Sequence, residues 1–318
     1  MKLDKKQTIG RLQLLIATAF WGASFIFVKA LQSDGYAPST LMAFRFTIGA
    51  IILAAIYFKK FKLLDLSYLW RGVVMGFLLY ASFMLQTYGL NDTTPGTNAF
   101  LTACYCVIVP FLYWLLTKKK PDKWNVIAAF ICLIGIGLVS FTNGFRIAPG
   151  DAITLTGGVM YAIQIVSTAL LIKDRDPILL SVLQIATVAI FSWITTFFIQ
   201  PELPSVSMEQ GLKVLYLAVF CTAMGFTFQN MGQKIVDTTI AGIILSLECV
   251  FALIISLFCG QENLTFEIGC GFVLIFVAVI ISETKLNFLF KLFKKNNGND
   301  NISDKPNESI EGNDIDKK

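Results

Sequence analysis

Histidine is absent from the 318 residues of this chain. That removes the side chain most often used as a general base or metal ligand near neutral pH. Charge is scarce as well: Asp, Glu, Lys and Arg make up 15% of the residues, against roughly 25% in soluble domains. The seven cysteines show neither a CxxC pairing nor a metal-type spacing, so they are expected to be small apolar residues on buried helix faces. No GxxxxGK[ST] phosphate loop occurs, which excludes ATP hydrolysis by this chain alone. The polar connections are too short to hold a soluble catalytic domain. The net charge of +5 resides in clusters at the ends of apolar runs, so it does not point to nucleic acid.

What fills the chain is hydrocarbon: 55% hydrophobic residues and a mean hydropathy of +0.68. Apolar runs of 18 or more residues cross about 30 Å of bilayer as helices. Ten such spans are predicted, near 9–31, 38–58, 68–90, 96–117, 122–142, 150–172, 178–200, 211–235, 238–260 and 265–286. The first is expected to be a retained span, because it is longer than a signal-peptide core and no small-x-small cleavage site follows it. With the N-terminus inside, the basic residues near 2–11, 59–71, 118–123, 173–175, 234 and 285–295 are all cytoplasmic, and the outer loops keep only Arg146 and Lys213. The positive-inside rule therefore predicts a multi-pass protein of the inner (cytoplasmic) membrane with both termini cytoplasmic. From about Lys295 onward the chain is almost devoid of apolar residues, and the tail, 288–318, is expected to be disordered and cytoplasmic.

The two halves echo each other. Gly10 precedes Trp21 by eleven residues, and Gly150 precedes Tyr161 by eleven. Gln86 and Gly89 are followed by Asp92-Thr93-Thr94, and Gln229 and Gly232 by Asp237-Thr238-Thr239. Tyr105 and Glu248 form a further candidate pair, although aligning them in register with the triplets needs a gap. Five spans separate the paired features, which turns the second copy upside down. That is the inverted-repeat plan of secondary transporters. The expected fold is an all-α membrane protein of ten transmembrane helices in two inverted five-helix repeats, 1–145 and 146–287.

Several motifs, in this order, resemble the EamA family of the drug/metabolite transporter superfamily. The first span carries Trp21-Gly22-Ala23-Ser24-Phe25 with Lys29; the second has Pro38 at its start and Arg45 inside. The fourth reads Thr94-Pro95-Gly96-Thr97-Asn98-Ala99-Phe100-Leu101-Thr102 and later Val109-Pro110; the sixth opens with Gly150-Asp151, and the ninth carries Ser246-Leu247-Glu248. The resemblance spans about residues 10–285. It departs from the family where Cys249 stands in place of the usual proline and where Gln261 separates Gly260 from Glu262. It implies ten helices, cytoplasmic termini, and transport of amino acids, related metabolites or drugs, often outward.

Three ionisable side chains lie well inside spans: Lys29, Arg45 and Glu248. Each costs about 2.5–3.5 kcal/mol near the bilayer centre, so each is expected to face the bundle interior. At about 1.5 Å per residue, Glu248 falls near the midplane, with Arg45 about 5 Å and Lys29 about 12 Å to its outer side. In one reading Arg45 or Lys29 neutralises a substrate carboxylate, while Glu248 binds its amine or takes up a proton as coupling ion. In the other, Arg45 and Glu248 form a structural ion pair and Lys29 snorkels to the outer surface. Trp21, Gln86, Asn98, Tyr105, Tyr161, Gln164 and Gln229 complete the candidate substrate-binding set. Interhelical hydrogen bonding is the alternative role for them and for Ser24, Gln184 and Asn230. Tyr68, Trp70 and Trp124 are expected as interfacial anchors.

The function these features favour is a secondary transporter, exporting small metabolites such as amino acids by alternating access, with no cofactor and no metal. An intramembrane enzyme would need a paired catalytic constellation, and only one carboxylate is deeply placed. A sensor or receptor that binds a small ligand without transport is the second alternative; no signalling output domain is present to support it.

Overall fold

The computed structural model describes residues 5–140, 149–200, 202–261 and 265–284. Glu262, Arg146 and the 288–318 tail lie outside them. The regular secondary structure of the described residues is all helical, with these α-helices: α1 (Lys5–Ser33), α2 (Pro38–Ile56), α3 (Leu66–Gly89), α4 (Pro95–Thr102), α5 (Tyr105–Thr117), α6 (Lys123–Ser140), α7 (Pro149–Leu171), α8 (Pro177–Ile199), α9 (Met208–Tyr216), α10 (Gly225–Ile235), α11 (Thr238–Leu245), α12 (Glu248–Phe258) and α13 (Phe266–Thr284). The starts follow from local chemistry. Pro38, Pro95 and Pro177 occupy the first turns of α2, α4 and α8, where a missing N–H costs nothing. Asp65, Thr94, Asp176 and Asp237 accept from the first free amides of α3, α4, α8 and α11, and Ser207 with Gln210 closes a capping box on α9.

Eight helical segments are long and apolar enough to cross a membrane; two further apolar helices, Lys123–Gly135 and Gly269–Ala278, are shorter. Side chains such as Ile51, Phe77, Ile190 and Phe197 are exposed on their outer faces, because lipid, not water, is the solvent there.

The halves exchange contacts. α1 packs on α10 and α12, while α7 packs on α3 and α5; α2 meets α8, and α6 meets α13. At two close crossings a Cβ added to Gly232 would come within 2.8 Å of the Gly10 carbonyl, and one added to Gly150 within 2.9 Å of the Gly89 carbonyl. Gly10 is the repeat counterpart of Gly150, and Gly232 of Gly89, so one contact is made twice. Trp21 stacks on Phe226 at 5.0 Å and Tyr161 on Phe83 at 5.6 Å, while Phe83 and Phe226 touch each other at 5.7 Å. That places these two counterparts at the centre of the arrangement.

The helices also correct the register of the repeat. Gln86 and Gln229, Gly89 and Gly232, and Tyr105 and Glu248 share one constant sequence offset. α4 and α11 have equal lengths, and each is joined to the next helix by two residues, Ala103-Cys104 and Ser246-Leu247. The Tyr105–Glu248 alignment is therefore ungapped. The Asp-Thr-Thr triplets are two residues out of register: Thr94 ends its triplet and caps α4, whereas Asp237 begins its triplet and caps α11. Tyr68 departs from the interfacial role. It is 5% exposed; its hydroxyl accepts from the Asp176 amide at 2.8 Å and the Arg175 guanidinium lies 5.0 Å from its ring. Arg71 with Asp174, Arg175 with Asp65, and Lys60 with Asp176 surround it and tie the 57–65 connection to the 172–176 connection. Cys259 is exposed, unlike the five cysteines that are buried as expected.

Candidate functional site

Two interrupted helices converge on the centre. At Ala103-Cys104 and at Ser246-Leu247 the backbone tightens into a 3₁₀-like turn, with Cys104 N–H donating to the Leu101 carbonyl and Leu247 N–H to the Ile244 carbonyl. No proline is needed for this: the second joint lies ahead of Cys249, where the resembling pattern has its proline. A short 3₁₀ stretch inside a helix weakens its hydrogen bonding and marks a point that can hinge. Immediately after the joints stand Tyr105 and Glu248, the first residues of α5 and α12.

Both side chains reach one cavity. Its walls include Trp21 from α1, Phe83 from α3, Thr102 from α4, and Tyr161 and Ile165 from α7. Phe226 and Gln229 of α10 and Leu245 of α11 close it with Tyr105 and Glu248. Both repeats thus contribute. The cavity measures about 20 Å³, room for one or two waters, so the site is contracted. Glu248 is partly buried and borders this space. Among the described residues it makes no ion pair.

Arg45 stands behind the wall. It is 1% exposed, its guanidinium lies 5.1 Å from the Phe83 ring and 5.2 Å from the Phe46 ring, and its Nε donates to Thr222 Oγ1 at 3.0 Å. Its Nη2 has no hydrogen-bond partner among the described residues. Thr222 belongs to a π-helical stretch, Leu217–Met224, that has no counterpart in the continuous α3. The wider turn aims Thr222 at Arg45 and leaves the Cys221 carbonyl to accept from Trp21 Nε1 at 2.7 Å. Such bulges recur at functional sites.

Of the ten residues singled out from sequence, Trp21, Tyr105, Tyr161, Gln229 and Glu248 line the cavity together. Gln86 sits one layer out; its Oε1 accepts from the Tyr161 hydroxyl at 3.1 Å and its Nε2 donates to Thr102 Oγ1 at 3.2 Å, which fixes two wall residues. Asn98 donates to Thr154 Oγ1 and the Gln86 carbonyl, and Gln164 donates to Thr168; neither borders the cavity. Lys29 is remote from it. Its ammonium donates to the carbonyls of Leu90, Asn91 and Thr93 at 2.6, 2.9 and 3.1 Å, closing the C-terminal end of α3. Ser24 likewise bonds only within its own helix, to Trp21 O. Sequence reasoning did not single out Phe83, Phe226, Thr102 or Thr222. Phe83 and Phe226 were within reach, each three residues before a repeated glutamine and so on the same helix face.

The chain matches the EamA-like transporter family over residues 8–141 and again over 148–284. An uncharacterized transporter of Archaeoglobus fulgidus is 28% identical over 281 residues, 88% of each chain. The uncharacterized transporter YyaM of Bacillus subtilis is 26% identical, covering 86% of this chain and 92% of its own. The inner membrane protein YtfF of Escherichia coli is 22% identical, with 86% and 94% covered. A crystal structure superposes with a TM-score of 0.72 at 17% identity, covering 88% of this chain and 98% of the other; that likeness concerns the fold alone.

Proposed function

Because the chain belongs to the EamA-like transporter family, we propose that it is a secondary transporter, and not an enzyme, that exports a small metabolite such as an amino acid or a related compound across the inner membrane. The carrying observation is the central cavity, to which both repeats contribute and beside which stand a lone carboxylate, Glu248, and a buried guanidinium with a free donor, Arg45. A zwitterion suits the two charges: its ammonium meets Glu248 and the aromatic faces of Trp21, Tyr105 and Tyr161, and its carboxylate reaches Arg45 once the Phe83 wall that covers the guanidinium moves aside. Admitting it requires the cavity to expand, and the joints before Tyr105 and Glu248 are the points where α4–α5 and α11–α12 can bend. Ten spans in two inverted halves, 1–145 and 146–287, with both termini cytoplasmic, would let the same bend open one side and then the other. A proton carried by Glu248 is the coupling ion in this reading.

The test is a thermal-shift screen of the full chain in detergent against amino acids, purines, nucleosides and organic cations, followed by transport of each hit in proteoliposomes. Amino acids should raise the melting temperature with concentration. Hits that bind without crossing the membrane would favour a sensor, and no hit among zwitterions would sink the substrate assignment. Cysteine accessibility tests the topology separately: positions 35 and 205 should label from outside and 62, 120 and 290 from inside, and labelling of 120 from outside would break the ten-span account.

A further inference from the structure

Between the cavity and the face bearing Lys234 runs a set of buried amides from α7, α8 and α10. Gln229, Asn230 and Gln233 of α10 and Gln184 of α8 are each less than 5% exposed. Each is half-paired. Gln229 Nε2 donates to Gln164 Oε1 at 3.5 Å, Asn230 Nδ2 to Ser181 Oγ and Gln184 Oε1 at 2.8 Å, and Gln233 Nε2 to the Ile165 carbonyl at 3.3 Å. The far ends, Gln229 Oε1, Asn230 Oδ1, Gln233 Oε1 and Gln184 Nε2, have no partner among the described residues. Turning an amide over exchanges its ends without pairing both. A buried polar atom left unpaired costs free energy, and although others occur elsewhere in the protein, these four lie on side chains of adjoining helices beside the cavity and point to an occupant. Three acceptors beside a donor suit water, which does both; a metal cation would be repelled by the amide N–H.

The other half of the molecule is built differently at the equivalent place. The counterparts of Gln229, Asn230 and Gln233 are Gln86, Thr87 and Leu90. Gln86 has both amide ends paired, Leu90 is hydrocarbon, and Lys29 binds the carbonyls beyond it. At these three positions one side of the cavity carries paired or apolar groups and the other unpaired amides, although Asn98 Oδ1, beside Gln86, is also unpaired among the described residues. The distance is short. Gln229 borders the cavity, and Lys234, which donates to the Arg175 carbonyl in an exposed position, is five residues along α10, about 7–8 Å.

We propose that these amides hold a short file of water molecules that connects the cavity at Glu248 to the Lys234 face of the protein. Its use as a proton route rests on the reading of Glu248 as the coupling carboxylate. A proton entering at that face hops along the waters and forms the Glu248 O–H bond while the last water regains its proton from the one before it, so one proton is transferred and no water is consumed. The charged and titratable groups around Glu248 are Arg45, Tyr105, Tyr161, Cys221 and Cys249. None of them is on the proposed route.

Two measurements on the full chain in lipid nanodiscs test this. A structure at a resolution that shows water should have density within hydrogen-bonding distance of Gln229 Oε1, Asn230 Oδ1 and Gln233 Oε1; a dry cluster overturns the water file whatever Glu248 does. Infrared difference spectroscopy after a change from H2O to D2O, with the Glu248 carboxyl band assigned by its loss in Glu248→Gln, reads proton access without any substrate. Gln233→Met, which keeps the volume, and Asn230→Leu should each slow exchange of that band at least tenfold, and Leu90→Met on the Gln86 side should leave it unchanged. Exchange at the wild-type rate in both amide variants overturns the route. If no carboxyl band forms at any pH at which the protein stays folded, the coupling reading of Glu248 fails and the proton route fails with it, while the density still decides the water file.

Discussion

Replacing Glu248 by glutamine separates a binding group from a structural ion pair. Among the described residues Glu248 makes no side-chain hydrogen bond or ion pair, and Arg45 takes its contacts from Thr222, Phe46 and Phe83. Their attraction is therefore weaker than the about 4 kcal/mol expected for charges 4 Å apart at an effective dielectric of 20. Against it stands a burial penalty of several kcal/mol for the carboxylate. The two offset, and Glu248→Gln should change stability by no more than about 1 kcal/mol, a shift of about 3 °C or less in melting temperature. Function should respond differently. A charge-assisted hydrogen bond to a substrate ammonium contributes about 1.5–3 kcal/mol, so affinity for a hit from the ligand screen should fall about 10–150-fold. The assay pairs thermal unfolding of the purified variant with coupled transport in proteoliposomes; substrate exchange that survives while coupled transport is lost would assign Glu248 to the proton alone. A variant that transports at the wild-type rate would refute the reasoning. So would a loss of about 3–5 kcal/mol that Arg45→Gln restores, because that is the signature of a stranded buried cation.

Lys29→Met strands the carbonyls of Leu90, Asn91 and Thr93 and should lower stability by about 1–3 kcal/mol without changing ligand preference in the same screen; a changed preference would place Lys29 in recognition after all. Gly232→Ala and Gly150→Ala push a methyl into Gly10 and Gly89 respectively and should each cost about 1–3 kcal/mol in denaturant unfolding, with little effect if the halves are looser than the close carbonyl contacts imply. Asp65 and Asp174 are held below their ordinary value of 3.8, the first by the Tyr68 amide and then Arg175, the second by Arg71; at Asp176 burial pushes upward, but Lys60 and the Leu179 and Ile178 amides prevail and the value is lowered too. Lowered folded values mean stabilisation that is complete above about pH 4 and lost as pH falls through the folded values. Melting temperature should thus drop below about pH 4, with a shallower drop in Asp176→Asn; a drop centred above pH 5 would assign the effect to other groups.

The membrane class and the approximate limits of the spans were legible because the bilayer imposes them. Uninterrupted apolar runs and the cost of mid-span charge are one-dimensional properties, readable without knowing which helix touches which. The same cost singled out Arg45 and Glu248, since a charge kept inside hydrocarbon must have a role to offset it. Repeat reasoning paired Gly10 with Gly150 and Gly89 with Gly232, and those pairs recur as equivalent contacts, whereas Gln86 and Gln229, paired by the same reasoning, take different partners.

Partner identity was not legible, because it depends on which helix faces meet. Lys29 and Arg45 look alike as intramembrane cations, yet one binds three carbonyls at the end of α3 and the other lies against Phe83 behind the cavity wall. Tyr68 sits at a span end like Trp70, and only the approach of the 172–176 connection buries it. The joint before Glu248 carries no proline to announce it, and the π-helical turn that presents Thr222 to Arg45 leaves no mark in an apolar run. The Asp-Thr-Thr triplets misled for the converse reason: capping asks only for a short polar acceptor ahead of the helix, so two identical triplets can start equivalent helices from different positions. Sequence determined which residues the bilayer would not tolerate facing lipid; the packing of α1, α7, α10 and α12 around one small space decided which of them share a site.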